Sequence, residues 1–145
     1  MRKKGITSFK TFMAYKGALM IDDRQMVGLM QEVKKHGGLI NVHATNGDMI
    51  DYLIAKHRAE GKLSPLYHYL SQPEVTEAEA SRTVCRYGQL YRLSRLYSTS
   101  YLRRGIECRS QCNKKKPESI CRNLYSVFDH SMQVYMNRIL KALNG

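Results

Sequence analysis

The sequence lacks any apolar run long enough to cross a membrane. A transmembrane helix needs about 18 consecutive apolar residues, and the 145-residue sequence contains no such run. The basic start, Met1-Arg2-Lys3-Lys4, is followed by Gly5-Ile6-Thr7-Ser8, which has neither the apolar core nor the cleavage site of a secretory signal. We therefore expect a cytoplasmic protein that does not associate with membranes.

Acidic residues are scarce, and their scarcity is uneven along the chain. Asp and Glu number 12 against 24 Lys and Arg, which gives a formal net charge of +12. Residues 1–83 carry 12 basic and 9 acidic residues, a net of +3, whereas residues 84–145 carry 12 basic and 3 acidic residues, a net of +9. The sequence therefore predicts two parts of different character, with a boundary near residue 84.

Cysteine is absent from the first part and is not arranged for metal binding in the second. Cys85, Cys108, Cys112 and Cys121 all follow the boundary. The spacing of Cys108 and Cys112 differs from the paired spacing of a zinc ribbon, and no histidine pair completes a site. We expect free thiols.

What the first part does contain is an alternation of short apolar runs with amphipathic segments. The runs Phe9–Ala14 and Leu39–Ala44 predict buried strands. Helices are predicted to begin at Asp22-Asp23, at about Met49 after the turn and cap Asn46-Gly47-Asp48, and at Glu74. His36-Gly37-Gly38 and Gly61 end the first two helices, and Leu63–Pro73 is predicted as loop. Strand and helix in this order predict an α/β fold whose parallel strands are joined by right-handed crossovers. Two such units expose strand edges, as a piece of a larger sheet would.

Two side chains in these strands could carry chemistry. His43 ends the second predicted strand, where functional groups of parallel barrels lie. Lys10 lies within the first, between Phe9 and Phe12, where an ammonium group is costly unless it is paired or modified. Taken singly, His43 can be interpreted as a structural histidine whose hydrogen bonds are satisfied within the barrel. Lys10 can be interpreted as a strand-edge residue whose amine reaches solvent. Together, on successive strands, they could converge on one metal centre.

Residues 5–84 resemble the dihydropyrimidinases and hydantoinases. Gly5–Gly17, with the letters GITSFKTFMAYKG, is similar to the segment that carries the carboxylated lysine of that family, and Val42–Asp48, with VHATNGD, is similar to its histidine segment. The resemblance implies a fragment of a TIM-type (β/α)8 amidohydrolase barrel, about two βα units long. It also implies hydrolysis of a small cyclic amide, a dihydropyrimidine or a hydantoin, by a homotetramer or other homo-oligomer.

The resemblance also implies roles for three residues. Lys10 would react with carbon dioxide to give the anionic bridge between two divalent metal ions, commonly zinc. His43 would bind one of the ions through a neutral imidazole nitrogen. Tyr15 would donate a hydrogen bond to the oxyanion that forms when the ring amide is attacked.

The sequence departs from the family pattern at several points. Thr45 stands where the family usually has glutamate, and the His-x-His pair, the third histidine and the metal-binding aspartate are not found. His57, His68 and His130 are interpreted as surface residues rather than substitutes. We therefore expect an incomplete site and no measurable turnover by this chain alone. A non-catalytic relative of the same fold is the first alternative.

Residues 85–145 resemble an out-of-frame translation and are expected to form an aberrant or disordered tail. Arg, Ser, Cys, Leu and Tyr dominate, and a one-nucleotide shift in the codons for residues 90–97 and 120–128, or a two-nucleotide shift for 136–145, permits family-like strings. A basic nucleic-acid-binding module is the less favoured alternative, since arginines and tyrosines can contact phosphates and bases. Its candidate contacts are Arg86, Arg92, Arg95, Arg103, Arg104 and Lys114-Lys115-Lys116.

Overall fold

The strands of the computed structural model form one parallel sheet with helices between them, and residues 5–93, 96–99 and 121–123 are described. The elements, in chain order, are β1 (Ser8–Phe12), α1 (Asp23–Lys35), β2 (Leu39–His43), α2 (Gly47–Ala59), α3 (Pro65–Leu70), α4 (Glu74–Leu90), β3 (Leu96–Thr99) and β4 (Cys121–Asn123). The strands lie in the order β1-β2-β3-β4, and each neighbouring pair is parallel. The α/β class and the parallel pairing of the first two strands are confirmed.

Local signals place the ends of α1 where the sequence predicts them. The side chain of Asp22 accepts a hydrogen bond from the backbone N–H of Gln25 at 2.7 Å, and the side chain of Gln25 accepts one from the N–H of Asp22 at 3.0 Å. This reciprocal pair satisfies two donors that the helix leaves open. At the other end, Gly37 takes the left-handed conformation that ends the helix, with φ of +63°.

The two faces of the sheet differ in burial. Thr11 of β1 and Ile40 and Val42 of β2 are buried, and the core cluster combines β2 with Met26 and Met30 of α1. Because side chains alternate along a strand, the residues between these project from the opposite face. Those residues are Lys10, Phe12, Asn41 and His43. The helices thus cover one face and leave the other for the polar and aromatic side chains.

Three features of the fold differ from the sequence-based expectations. α3 lies within Leu63–Pro73, which is predicted as loop; Pro65 at its first turn starts the helix, since proline there loses no helical hydrogen bond. α4 continues past residue 84 to Leu90. The described sheet has four strands rather than two, because β3 and β4 lie in the second part of the chain.

The domain boundary at 84 and the out-of-frame origin of residues 85–145 stay predictions. Cys85 is buried in α4 and forms no disulfide with another described residue. The predictions for Cys108, Cys112 and His130 lie outside the described residues, as does most of the basic segment.

Among the helices of the described residues, none combines the length and apolar character needed to span a bilayer. The cytoplasmic location expected from the sequence stays a prediction.

Gly47, the first residue of α2, packs directly against the loop that follows β1. A Cβ atom there would lie 2.7 Å from the carbonyl oxygen of Met13 and 2.8 Å from the sulfur of Met20. We predict that Gly47→Ala lowers the free energy of unfolding by about 1–3 kcal/mol, the cost typical of forcing an extra carbon into a packed site. Urea denaturation followed by circular dichroism measures the change.

Gly28 of α1 is the matched control, because nothing lies within 4 Å of a Cβ atom at that position. Gly28→Ala is expected to stabilise by about 0.4–1 kcal/mol, since alanine has less conformational freedom to lose. Equal effects of the two substitutions would contradict the close contact at Gly47.

Candidate active site

Lys10 projects from β1 beside Asn41 of β2, its register partner. Its Nζ atom donates a hydrogen bond to Oδ1 of Asn41 at 3.3 Å and lies 5.5 Å from the centre of the Phe12 ring. Although the residue as a whole is exposed, desolvation around the amine lowers the pKa of Lys10. The strand therefore raises the fraction of neutral, nucleophilic amine above that of an ordinary lysine.

His43 ends β2 on the same face, opposite Phe12 in the register. The ring is half-buried, and burial, followed by the positive charge of Lys10, lowers the pKa of His43. Oγ1 of Thr45, a buried side chain, lies 3.5 Å from Nε2 of His43. The structure thus favours a neutral imidazole, the form that binds metal ions, and the residue at position 45 remains within reach of the ring.

Tyr15 covers His43 from the loop after β1. Their rings are stacked, with centroids 5.6 Å apart and planes inclined by 14°. Phe12 contacts both rings, at 5.7 Å from Tyr15 and 5.9 Å from His43. Tyr15 has a φ of +66°, which is unusual for a residue with a side chain and is retained at functional sites. The three aromatic residues therefore form one contiguous cluster beside Lys10.

A cleft opens in front of this cluster, with a volume of about 210 Å³. Its lining residues come from the loop after β1, the end of β2, α2 and α3: Ala14, Tyr15, Lys16, His43, Thr45, Gly47, Ile50, Asp51, Ile54, His68 and Gln72. The cleft combines an apolar wall from α2 with convergent polar groups, as small-molecule sites commonly do.

The contribution of α3 to this cleft is missed by the sequence analysis. His68, interpreted as a surface loop residue, lies on α3; it is exposed, lines the cleft and is 3.1 Å from the side-chain amide of Gln72. The signal that could have found it is Pro65, which predicts a helix start. His57 lies outside the lining residues, with Nδ1 3.0 Å from Oγ of Ser71.

The structure brings together all three residues that the resemblance singles out. Lys10 and His43 occupy one face of neighbouring parallel strands, and Tyr15 stacks on His43. Within the described ranges, no group of three or more His, Cys, Asp and Glu side chains is arranged to hold a metal ion. The described part therefore presents two of the predicted ligands, a lysine and a histidine, rather than a complete site.

These features define a class of protein: a parallel α/β unit with titratable side chains on one face of neighbouring strands. No family model matches the chain. It is 54% identical over 77 residues to a D-hydantoinase of Ralstonia pickettii, which is 53% of this chain and 17% of that protein. It is 45% identical over 78 residues to a dihydropyrimidinase of Rattus norvegicus, or 54% of this chain and 15% of the relative.

The fold is similar to that of a solved D-hydantoinase from Bacillus sp. AR9. The TM-score is 0.79 at 32% identity, over 84% of this chain and 26% of that one. In sequence and in fold, the chain is therefore similar to D-hydantoinases and dihydropyrimidinases. It spans about a sixth of the length of the curated relatives that it matches.

The proximity of Lys10 and His43 can be tested by titration. The lowered pKa of His43 means that the folded chain binds fewer protons than the unfolded chain between that pKa and about 6.5. The contribution of His43 to stability is therefore fully present above about pH 6.5 and falls as the pH drops through this window. We predict that Lys10→Met raises the pKa of His43 part of the way to its ordinary value, since burial, the larger cause, remains.

Proton NMR of the His43 ring measures this midpoint in both proteins. Lys35→Met, which removes a charge from the outer surface of α1, is the control and should leave the midpoint unchanged. If the titration midpoint of His43 is the same in the unsubstituted chain and in Lys10→Met, the two side chains are not coupled.

Proposed function

We propose that this chain is a truncated segment of a metal-dependent hydrolase of cyclic amides, built on a (β/α)8 barrel. The observation that carries the proposal is the placement of Lys10 and His43 on one face of neighbouring parallel strands, with Tyr15 stacked against the histidine. A purely structural protein has no need for a lysine and a histidine with lowered pKa values on one face, next to a stacked tyrosine. Their presence argues against a non-catalytic relative.

The relatives indicate the class of substrate. They are a D-hydantoinase and a dihydropyrimidinase, and hydantoins and dihydropyrimidines are both small rings that contain a hydrolysable C–N bond. A cleft of about 210 Å³ in front of His43 has one apolar wall and polar groups on the other side. Such a lining suits a compact ring that carries carbonyl and N–H groups at its edge.

Carboxylation of Lys10 is the modification that the local chemistry favours. The neutral amine of Lys10 attacks the carbon of carbon dioxide, an N–C bond forms, one C=O π bond becomes a C–O⁻ group, and a proton leaves the nitrogen for solvent. A lowered pKa favours this step because the protonated amine has no lone pair to donate. The product is an anion on the same face as His43.

The donor chemistry of two described residues supports a metal centre. Carboxylated Lys10 and neutral His43 would hold divalent ions, and zinc is an ion that imidazole nitrogens and carboxylate oxygens commonly bind. Such ions supply Lewis-acid polarisation of the scissile carbonyl and activation of water. The remaining ligands would come from outside the described part of the chain.

Tyr15 has the position needed to contact a ring bound in the cleft. Its side chain is 55% exposed and lines the cleft together with His43. A phenol that is held by stacking on His43 can donate a hydrogen bond to an oxygen on which negative charge develops.

We also propose that the parent protein is a homo-oligomer, as the resemblance implies.

Carboxylation can be detected on this chain without turnover. With ¹³C-bicarbonate near pH 8, we expect a carbamate resonance that is enhanced by zinc and absent in Lys10→Met. Lys35→Met is the matched control, because Lys35 is an exposed lysine on α1 that is paired with Glu32 at 2.6 Å. A carbamate resonance that survives in Lys10→Met, or the absence of this resonance in the unsubstituted chain, would contradict the assignment to Lys10.

Ring hydrolysis by the chain alone is the complementary measurement. We predict no turnover of hydantoin or dihydrouracil above the uncatalysed rate, with or without added zinc, because two ligands do not complete a two-metal centre. Chromatography of the ring-opened acid provides the assay. Hydrolysis by the purified chain that is lost in His43→Ala would contradict the proposed incompleteness of the site.

A further inference from the structure

An ion pair lies directly beside Tyr15. Nζ of Lys16 is 2.7 Å from Oδ1 of Asp48, in the first turn of α2, and 3.8 Å from Oδ2 of Asp51, one turn further on. The hydrogen bond from Lys16 to Asp48, followed by the attraction of the two charges, raises the pKa of Lys16 above its ordinary value. The side chain therefore stays charged across the neutral pH range, and the contact joins the loop after β1 to α2.

The same loop is anchored to α2 on the other side of Tyr15. The backbone N–H of Gly47 donates to the carbonyl of Met13 at 2.9 Å, and the N–H of Met13 donates to the carbonyl of His43 at 3.0 Å. A backbone contact at Met13 and a side-chain contact at Lys16 thus flank Tyr15 in sequence. Both lead to the N-terminal part of α2.

Tyr15 needs such support because its conformation is not the one that its own backbone prefers. A φ of +66° for a residue with a Cβ atom is strained. Its carbonyl accepts hydrogen bonds from the N–H groups of Ala18 and Leu19, each at 3.0 Å, which fix the shape of the turn. These bonds lie within the loop, so they do not determine where the turn sits relative to His43.

We propose that Lys16 is a positioning residue that holds the ring of Tyr15 against His43 through its ion pair with Asp48. The value of this position to a reaction rests on the proposed function, whereas the effect on the Tyr15 ring does not. An exposed ion pair contributes little to global stability, but it can shift a local equilibrium by up to about five-fold. It also weakens as salt screens the charges.

The test uses the contact between the rings as its readout. In the 145-residue chain, nuclear Overhauser effects and ring-current shifts report on the stacking of Tyr15 and His43. We expect Lys16→Met to reduce the ratio of stacked to unstacked rings by about two- to five-fold, and Lys16→Arg to restore it, while circular dichroism stays unchanged. Unchanged stacking in Lys16→Met would overturn the proposal.

Lys35→Met is the matched control, since it breaks another exposed ion pair, 2.6 Å long, on α1. Stacking is expected to survive this change, and an equal loss would show that the effect is not specific to Lys16. Lys16→Asp is expected to remove the ion pair, and the double variant Lys16→Asp/Asp48→Lys, which exchanges the two charges, is expected to restore part of it. No restoration would overturn the role of Asp48.

The salt dependence of the stacking can be measured on the unsubstituted chain. Raising the salt concentration from low to molar should reduce the stacking of Tyr15 on His43 without unfolding the helices, and salt-independent stacking would overturn the proposal. The carbamate resonance of Lys10 separates this inference from the proposed function. If Lys16→Met loses the stacking but keeps the carbamate, the positioning role is confirmed by itself. If the carbamate is missing while the stacking still depends on salt, only the chemistry assigned to Lys10 is contradicted.

Discussion

The parallel register of β1 against β2 is the constraint on which the candidate site depends. It sets Lys10 opposite Asn41 and Phe12 opposite His43. Because side chains alternate between the faces of a strand, a slip of one residue would move Lys10 to the other face. Thr11 and Val42 oppose such a slip, since it would carry their buried side chains out of the core. The apolar face of the sheet thus determines which polar groups meet on the opposite face.

The loop after β1 extends this arrangement from the sheet to the cleft. Its close approach to Gly47 and its ion pair to Asp48 attach it to the beginning of α2, so that Tyr15 lies over His43. Desolvation lowers the pKa of Lys10, and burial followed by the charge of Lys10 lowers the pKa of His43. One local geometry therefore accounts for the stacking, the lowered pKa values and the cleft.

Sequence similarity and structural similarity extend over different lengths of the chain. The D-hydantoinase of Ralstonia pickettii and the dihydropyrimidinase of Rattus norvegicus align over 77 and 78 residues, about half of the chain, whereas the Bacillus D-hydantoinase superposes on 84%. The parallel strands β3 and β4 lie in the basic part that follows residue 84. A nucleotide sequence that restores family motifs by a single-base repair would explain why composition changes at this boundary.

The sequence by itself determined the elements whose signals are local. Asp22 caps α1 at its predicted start, and the apolar run at Leu39 predicts β2, because caps and periodic burial act within a few residues. The resemblance identified Lys10, His43 and Tyr15. Only the tertiary structure decided how these side chains approach one another and which helices complete the cleft. Such contacts join residues about 30 positions apart, and their geometry depends on strand register and loop docking rather than on local preference.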